Sequence, residues 1–394
     1  MSSHAEVHVP VGGRLMTRPF VALLAVACVG AVAAAVRFLY GIGAVSNLSN
    51  GYPWGVWIAI DVVIGTAIGC GGYAVGIVVY VLNKGKYHPL VRPAVLTSLL
   101  GYGLAVVAVT IDLGRFWGLW KLPVYVWRWS HSPQLEVALC VATYNLVLLV
   151  ELSPALFEKL AAGASTGLRR LAQSGLAFVE KSFVWVLALG LLLPTMHQSS
   201  LGTMMLLPGP RMHPLWLTPW LPLLFLVNCI IMGFSVVTME ATFSAAAFGR
   251  PRETAMLGSL ARIAAWTAMG WSAFRVLEVA LAGKLGQIKG GFGVAFLAEV
   301  LVPVAGAWIL LSERRRSRAV WQVRGAILLF LGTALHRVDT YLVAFSPGHA
   351  FSYFPAVPEL LITFGIIAAE VAIYIAAVKT FPILQGPAPA KATS

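Results

Sequence analysis

The sequence predicts an all-α integral membrane protein of about ten transmembrane helices, and three observations predict it. Of the 394 residues, 59% are hydrophobic and only 11% charged, with a mean hydropathy of +0.83, against a charged share of ~25% in a soluble domain. Apolar runs longer than the roughly 20 residues needed to cross a bilayer recur along the chain. The alternation of a β-barrel is missing, and because unpaired backbone groups cannot face lipid, helices are the spanning form that remains. A net charge of +13 would point a soluble protein toward nucleic acid. Here Lys and Arg punctuate apolar runs instead of forming one patch, so the charge reads as topological and no nucleic-acid partner is expected.

The spans fall near residues 19–40, 54–82, 93–114, 134–157, 178–196, 218–247, 255–281, 292–311, 320–343 and 358–380. The first is read as a retained helix, since it is long enough to span and has no clear small-residue cleavage site. The second and third form the stretch around which the chain is organised, Gly51 to Trp117, with Asp61 and Asp112 inside apolar runs. A carboxylate there costs about 2.5–3.5 kcal/mol to insert, so it needs a partner or a purpose. Helix three ends in Asp112-x-x-Arg115 and helix seven carries Arg275-x-x-Glu278, each pair on one helix face. Helices four and eight then carry Glu136 and Glu299 early in their spans. An offset of four helices preserves direction across the membrane, so helices two to five and six to nine read as parallel repeats. Gly71-Gly72 is the candidate helix break, and Glu370 lies mid-span in helix ten with no partner the sequence can name.

Nineteen of the 28 Lys and Arg residues fall on one side of these spans, which by the positive-inside rule makes both termini cytoplasmic. The chain then divides into a cytoplasmic tail (1–18), a first helix with its outer loop (19–53), a first four-helix unit (54–200), a second with its preceding outer loop (201–343), an outer loop with the last helix (344–380) and a cytoplasmic tail (381–394). The outer loops 115–133 and 204–220 are long and aromatic. Their Trp and Tyr read either as interfacial belts or as a docking surface for a partner.

Four cysteines, Cys28, Cys70, Cys140 and Cys229, stand singly in apolar runs, so no iron–sulfur cluster or other metal site is expected in this chain. His4 and His8 are in the tail, His88, His131, His213 and His349 in loops, and only His197 and His336 near outer helix ends. No pair of histidines sits deep in the apolar spans, and bis-imidazole ligation of a b-type haem is therefore not expected.

The segments GYPWGVWIAID, YHPLVRPA, DLGRFW, LLPTMHQSS (192–200), HPLW (213–216), IMGFS, LVAFSPG and YFP resemble the NrfD/polysulfide-reductase membrane-subunit family, over about residues 35–385. Within it the chain most resembles the membrane subunits of periplasmic nickel-iron uptake hydrogenases. The resemblance implies a subunit without its own cofactor, built as two four-helix bundles (helices two to five and six to nine) plus two flanking helices, in the bacterial inner (cytoplasmic) membrane. It further implies that a periplasmic ferredoxin-like iron–sulfur subunit, fed by the hydrogenase large and small subunits, passes electrons to menaquinone within the bilayer. The family's ionisable positions fall here on Tyr102, Glu136, His197 and Glu240.

Quinone reduction needs a flat apolar pocket, donors for two carbonyl oxygens, and proton donors that titrate near working pH. Asp61, Asp112, Glu136, His197 and Glu299 fall in the outer third of their helices and are the expected pocket rim. Glu136, His197, Asp112 and Tyr102 are the expected catalytic groups, and Asp61, Glu136, His197 and Trp117 the expected quinone-binding ones. Glu151 and Glu240, with Tyr102, lie nearer the inner face and are the expected proton path. Each has a plainer alternative. Asp112 can pair with Arg115, Asp61 with another helix, Glu136 can serve its own helix N-terminus, His197 can be an interfacial histidine, Tyr102 can be packing, and the two inner glutamates can reach headgroup water. Other readings are the membrane subunit of another quinone oxidoreductase of the same family, a secondary transporter, or a structural anchor.

Overall fold

The structure, a computed structural model, describes residues 8–128, 131–163 and 165–385. The ends of both tails and Trp129 of the outer loop lie outside the described residues. Ten long helices follow one another: α1 (Arg18–Tyr40), α2 (Trp57–Val81), α3 (Val91–Asp112), α4 (Pro133–Gly163), α5 (Thr166–Met204), α6 (Leu221–Ala247), α7 (Thr254–Leu281), α8 (Gly290–Leu311), α9 (Ala319–Val343) and α10 (Val357–Thr380). Among the described residues, nine of these are long and apolar enough to cross a membrane. The exception is α7, whose hydropathy is lowered by Arg262, Arg275 and Glu278. Arg275 and Glu278 are buried, so their charge faces the protein interior and not lipid.

Helices α2 to α5 pack in sequence, as do α6 to α9, and α1 pairs with α10 across the side of α3. The two groups meet where α6 lies against α2 and α5. Close approach of backbones sets these contacts, as is usual where no water drives helices together. A Cβ on Gly30 of α1 would stand 2.7 Å from the Gly365 Cα of α10.

Helices α4 and α5 run well past the apolar spans expected at 134–157 and 178–196. The flanking residues, Glu158–Ala162 and Leu168–Gln173, are good helix formers with no proline to stop them. The break in α2 comes just before the glycine pair, at the turn Gly69–Cys70. Gly69 lies under the Tyr102 ring, where a Cβ would come within 2.7 Å. The Gly72 N–H leaves the helical ladder to donate to Ser98 Oγ at 3.0 Å. On either side of this break α2 is π-helical, over Trp57–Val62 and Ile77–Val81, and α9 ends in a third π-helical turn, Asp339–Val343.

Beneath the bundle the two ends of the described chain meet. His8–Val9 pairs antiparallel with Leu384–Gln385, so both ends of the described chain lie on one face. On the opposite face, Met212 of the 205–220 loop bridges to Phe345, tying that loop to the end of α9.

Candidate functional site

The interior is built around arginines. Arg37, Arg275 and Arg337 are among its largest fully buried side chains, and each sits within or at the edge of an apolar span. Near the end of α9, His336 and Arg337 are consecutive and so point about 100° apart. His336 serves the second four-helix group, and Arg337 bridges the second to the first.

Arg337 reaches toward α2, α5 and α6. Its Nε donates to Asn228 Oδ1 (2.7 Å), Nη1 to the Val63 carbonyl (2.9 Å), and Nη2 to Gln198 Oε1 (2.8 Å) and the Phe225 carbonyl (3.0 Å). The Gln198 amide is thereby oriented, and its Nε2 donates to Thr66 Oγ1 (3.2 Å) and to the Tyr102 hydroxyl (3.3 Å). Tyr102 stands 3.6 Å from Cys70 Sγ and has its ring against Tyr144 and His197, at 4.7 and 5.4 Å. His197 is wholly buried, and neither ring nitrogen has a hydrogen-bond partner.

His336 reaches into the second group. Its Nδ1 lies 3.0 Å from Glu299 Oε2, which also accepts from Trp216 Nε1 at 2.9 Å. The other oxygen of Glu299 accepts from Arg275 Nε at 2.9 Å, and Arg275 in turn bonds Glu278 and, at 2.8 Å, the Leu215 carbonyl. The paired charges of α7 and α8 thus grip Leu215 and Trp216 of the 205–220 loop. His336 Nε2 and Asp339 Oδ2, both buried, have no hydrogen-bond partner.

Of the residues expected at a quinone site, the structure brings His197 and Tyr102 together and leaves the others apart. His197 is an interior group of α5 and not an interfacial or rim one, because α5 continues past it to Met204. Tyr102, expected nearer the inner face, lies at the level of His197. Asp61 Oδ2 accepts from the Thr363 hydroxyl of α10 at 2.7 Å, the pairing with another helix that is its plainer alternative. Asp112 does not pair with Arg115. Its charged neighbours are Arg37 of α1 and Glu359 of α10, because α1 crosses the end of α3 and Arg37 bonds the Ile111 and Leu113 carbonyls there. Glu359 is held by Tyr353 (2.5 Å) and by the backbone N–H groups of Asn47 and Ala356 (both 2.9 Å). The Tyr353 phenol is pushed up by burial and by that carboxylate, so it stays a donor. Glu136 is half-buried in the first turn of α4. Trp117 is 65% exposed and packs on Phe116, away from the interior. Glu299 belongs to the Arg275 network.

The inner carboxyls are held separately. Glu240 accepts from the Tyr374 hydroxyl of α10, and Glu151 lies against α5 at Gly190. Among the described residues no cluster of His, Cys, Asp and Glu could hold a metal ion. Arg337, Gln198 and Asn228 were missed by the sequence reading, although one signal was there. An arginine inside an apolar span is as costly as a carboxylate and deserves the same question.

These features define a class: a multi-pass membrane protein with a closed, hydrogen-bonded interior in each half. No family model matches the chain. It is 37% identical over 380 residues, 95% of this chain and 94% of the relative, to the probable Ni/Fe-hydrogenase 2 b-type cytochrome subunit of Escherichia coli strain K12. It is 32% identical over 388 residues, 96% and 97% of the two chains, to a protein of Nitratidesulfovibrio vulgaris strain Hildenborough. The menaquinone reductase integral membrane subunit of the same organism is 28% identical over 223 residues, 53% of this chain and 49% of the relative. The chain belongs to the HybB-like family of hydrogenase membrane subunits.

The name of the Escherichia coli relative also corrects an expectation. A b-type cytochrome carries haem, so the reading of this chain as having none does not stand. The buried donors are His197, with both ring nitrogens unbonded, and His336, with Nε2 unbonded. As packed, Tyr102 covers His197 at 5.4 Å, and Trp271 and Phe225 cover His336 at 4.9 and 5.5 Å. Rings packed this closely on both imidazoles do not fit a porphyrin beside either one as the side chains stand.

Proposed function

We propose that this subunit binds menaquinone and reduces it with electrons from a periplasmic ferredoxin-like iron–sulfur subunit, which receives them from the large and small subunits of a nickel-iron hydrogenase. Oxidation of one hydrogen molecule releases two electrons and two protons on the outer side. The quinone takes up two electrons and two protons to become the quinol. The observation that carries this reading is His197, a fully buried imidazole with no partner for either nitrogen. An unmet buried polar group costs about 1–3 kcal/mol, and a quinone carbonyl beside Tyr102 would meet it. The hydrogenase and menaquinone reductase relatives support the same reading. Glu136 lies at the rim in this reading, while Asp61, Asp112 and Trp117 serve packing or the surface.

His197→Ala is expected to lower hydrogen-dependent quinone reduction at least tenfold while dye-linked hydrogenase activity persists. Loss of both activities would mean failed assembly, and unchanged quinone reduction would overturn the assignment. With the termini cytoplasmic, the protons for the quinol come from the inner side by way of Glu240 and Glu151. Glu240→Gln is then expected to lower the membrane potential formed per quinone reduced in liposomes. Full potential at full rate would remove Glu240 from the path.

A further inference from the structure

At the face where the two ends of the described chain meet, a partly enclosed cavity of about 40 Å³ lies between Glu240, Ala245, Arg250 and Glu253 on one side and Leu384 and Gln385 on the other. At ~10–15 Å³ for each water it has room for about three, with polar groups to hold them. The charged groups around it are Glu240, Arg250 and Glu253, and the Tyr374 phenol stands beside them, bonded to Glu240.

Its outer wall is the end of the described chain. After α10 the backbone turns under the bundle, burying Ile383 and Leu384 against Leu96, Leu100 and Ala155. Arg92, itself paired with Glu158 at 2.8 Å, donates to the Pro382 carbonyl at 3.1 Å, and Arg250 donates to the Gln385 carbonyl. The N-terminal segment lies along the outside. His8–Val9 pairs with Leu384–Gln385, and the Val11 and Gly12 N–H groups donate to the Val378 and Lys379 carbonyls at 3.0 and 3.1 Å. A segment held by two arginines, two buried aliphatic side chains and a second strand is a built wall.

We infer that this cavity is the port through which water delivers protons to Glu240, and that the paired strands His8–Val9 and Leu384–Gln385 are its lid. Part of this rests on the proposed function, in which Glu240 lies on the proton path. In the step itself, a hydronium in the cavity gives one proton to the Glu240 carboxylate and becomes water, and access from bulk widens when the 384–385 strand parts from Arg250.

The lid is tested without turnover. In the intact complex, with Cys28→Ala to remove the exposed thiol, Ala245→Cys places a reporter in the cavity wall, and a charged, membrane-impermeant methanethiosulfonate reagent is applied to the terminal face. Labelling is expected to be slow in the full chain and at least tenfold faster when the chain ends at Pro382. Arg250→Gln, which frees the Gln385 carbonyl and removes no apolar burial, is expected to speed it as well, and it decides the matter if the truncated chain does not assemble. Equal rates in the full chain and these variants would overturn the lid. The port is tested by Ala245→Leu, which fills the cavity. Proton uptake from the terminal face during hydrogen-driven quinone reduction is expected to fall at least tenfold with dye-linked activity retained, and unchanged uptake would overturn the port. If Glu240→Gln changes nothing while the labelling result holds, the proton-path reading has failed and the lid has not.

Discussion

Replacing Arg337 with lysine keeps the charge and removes the fork. The guanidinium makes four hydrogen bonds, to Asn228, Val63, Gln198 and Phe225, at 2.7 to 3.0 Å. An ammonium has three donors on one tetrahedral nitrogen and cannot reach four acceptors spread over α2, α5 and α6. It keeps about two of them. Charge-assisted hydrogen bonds contribute about 1.5–3 kcal/mol each, so Arg337→Lys is expected to destabilise by about 3–6 kcal/mol, much of the net stability of a typical fold. With an unfolding entropy of ~2.1 cal/mol/K per residue over 394 residues, that is a fall of roughly 4–7 °C in thermal midpoint, measured on the detergent-solubilised complex. Gln198→Ala combined with Arg337→Lys is expected to cost less than the sum of the two, because both remove one bond. A midpoint within 1 °C of wild type, or strict additivity, would refute the view that this guanidinium joins the two helix groups.

Three further outcomes are expected. His213 is stacked on Phe292 at 4.1 Å, and burial lowers its pKa from the ordinary 6.5. The unfolded chain therefore binds the proton first, and the stability it lends the 205–220 loop is complete above pH ~6.5 and lost as pH falls below that value. His213→Phe should flatten the thermal midpoint between pH 5 and 7.5, and an unchanged slope would clear His213 of any part in it. Gly30→Leu drives a side chain into Gly365 and the Leu361 carbonyl, 2.7 and 2.8 Å from its Cβ, and is expected to separate α1 from α10 and lower recovery of folded protein, where Gly30→Ala lowers it less. Trp127 is 65% exposed in the outer loop, and Trp127→Ala is expected to weaken co-purification of an iron–sulfur partner with the bundle intact. Full recovery would return it to the aromatic belt.

The ten helices were legible because span length and hydropathy are properties of contiguous residues. The pair Arg275–Glu278 was legible for the same reason, since four residues on one turn fix their own geometry. What lay across helices was not. Asp112 was matched with Arg115, three residues away, whereas its cation is Arg37 on α1, brought there by packing that no local spacing records. Tyr102 and His197 were assigned to different depths because each was measured from its own apolar boundary, and α5 in fact extends beyond the boundary used. The π-helical turns in α2 and α9 leave no mark in hydropathy. Each adds a residue to a turn, which shifts the facing of everything beyond it, so which side Asp61 or Tyr341 presents could not be counted from the helix start.

The networks around Arg337 and Arg275 differ in their balance of charge, and this bears on the chemistry. All four groups bonded to Arg337 are neutral, so its positive charge stands beside His197 without a counterion among the described residues. In the other half, Glu278 and Glu299 together face Arg275 and the His336 imidazole, which leaves the surplus negative where His336 is neutral. In the proposed function, a quinone near His197 would gain negative charge when electrons arrive ahead of protons, and a fixed cation in a dry interior would stabilise that charge without reorganising. Near Glu299 the same charge would be opposed. The asymmetry favours the first half for quinone reduction and separates two roles of Arg337, because lysine retains the cation whereas glutamine does not. If charge matters, Arg337→Lys should keep a measurable share of hydrogen-driven quinone reduction despite its lower thermal midpoint, and Arg337→Gln should lose at least tenfold more in rate at comparable stability. Equal rates in the two variants would leave Arg337 as a brace between helices and nothing more.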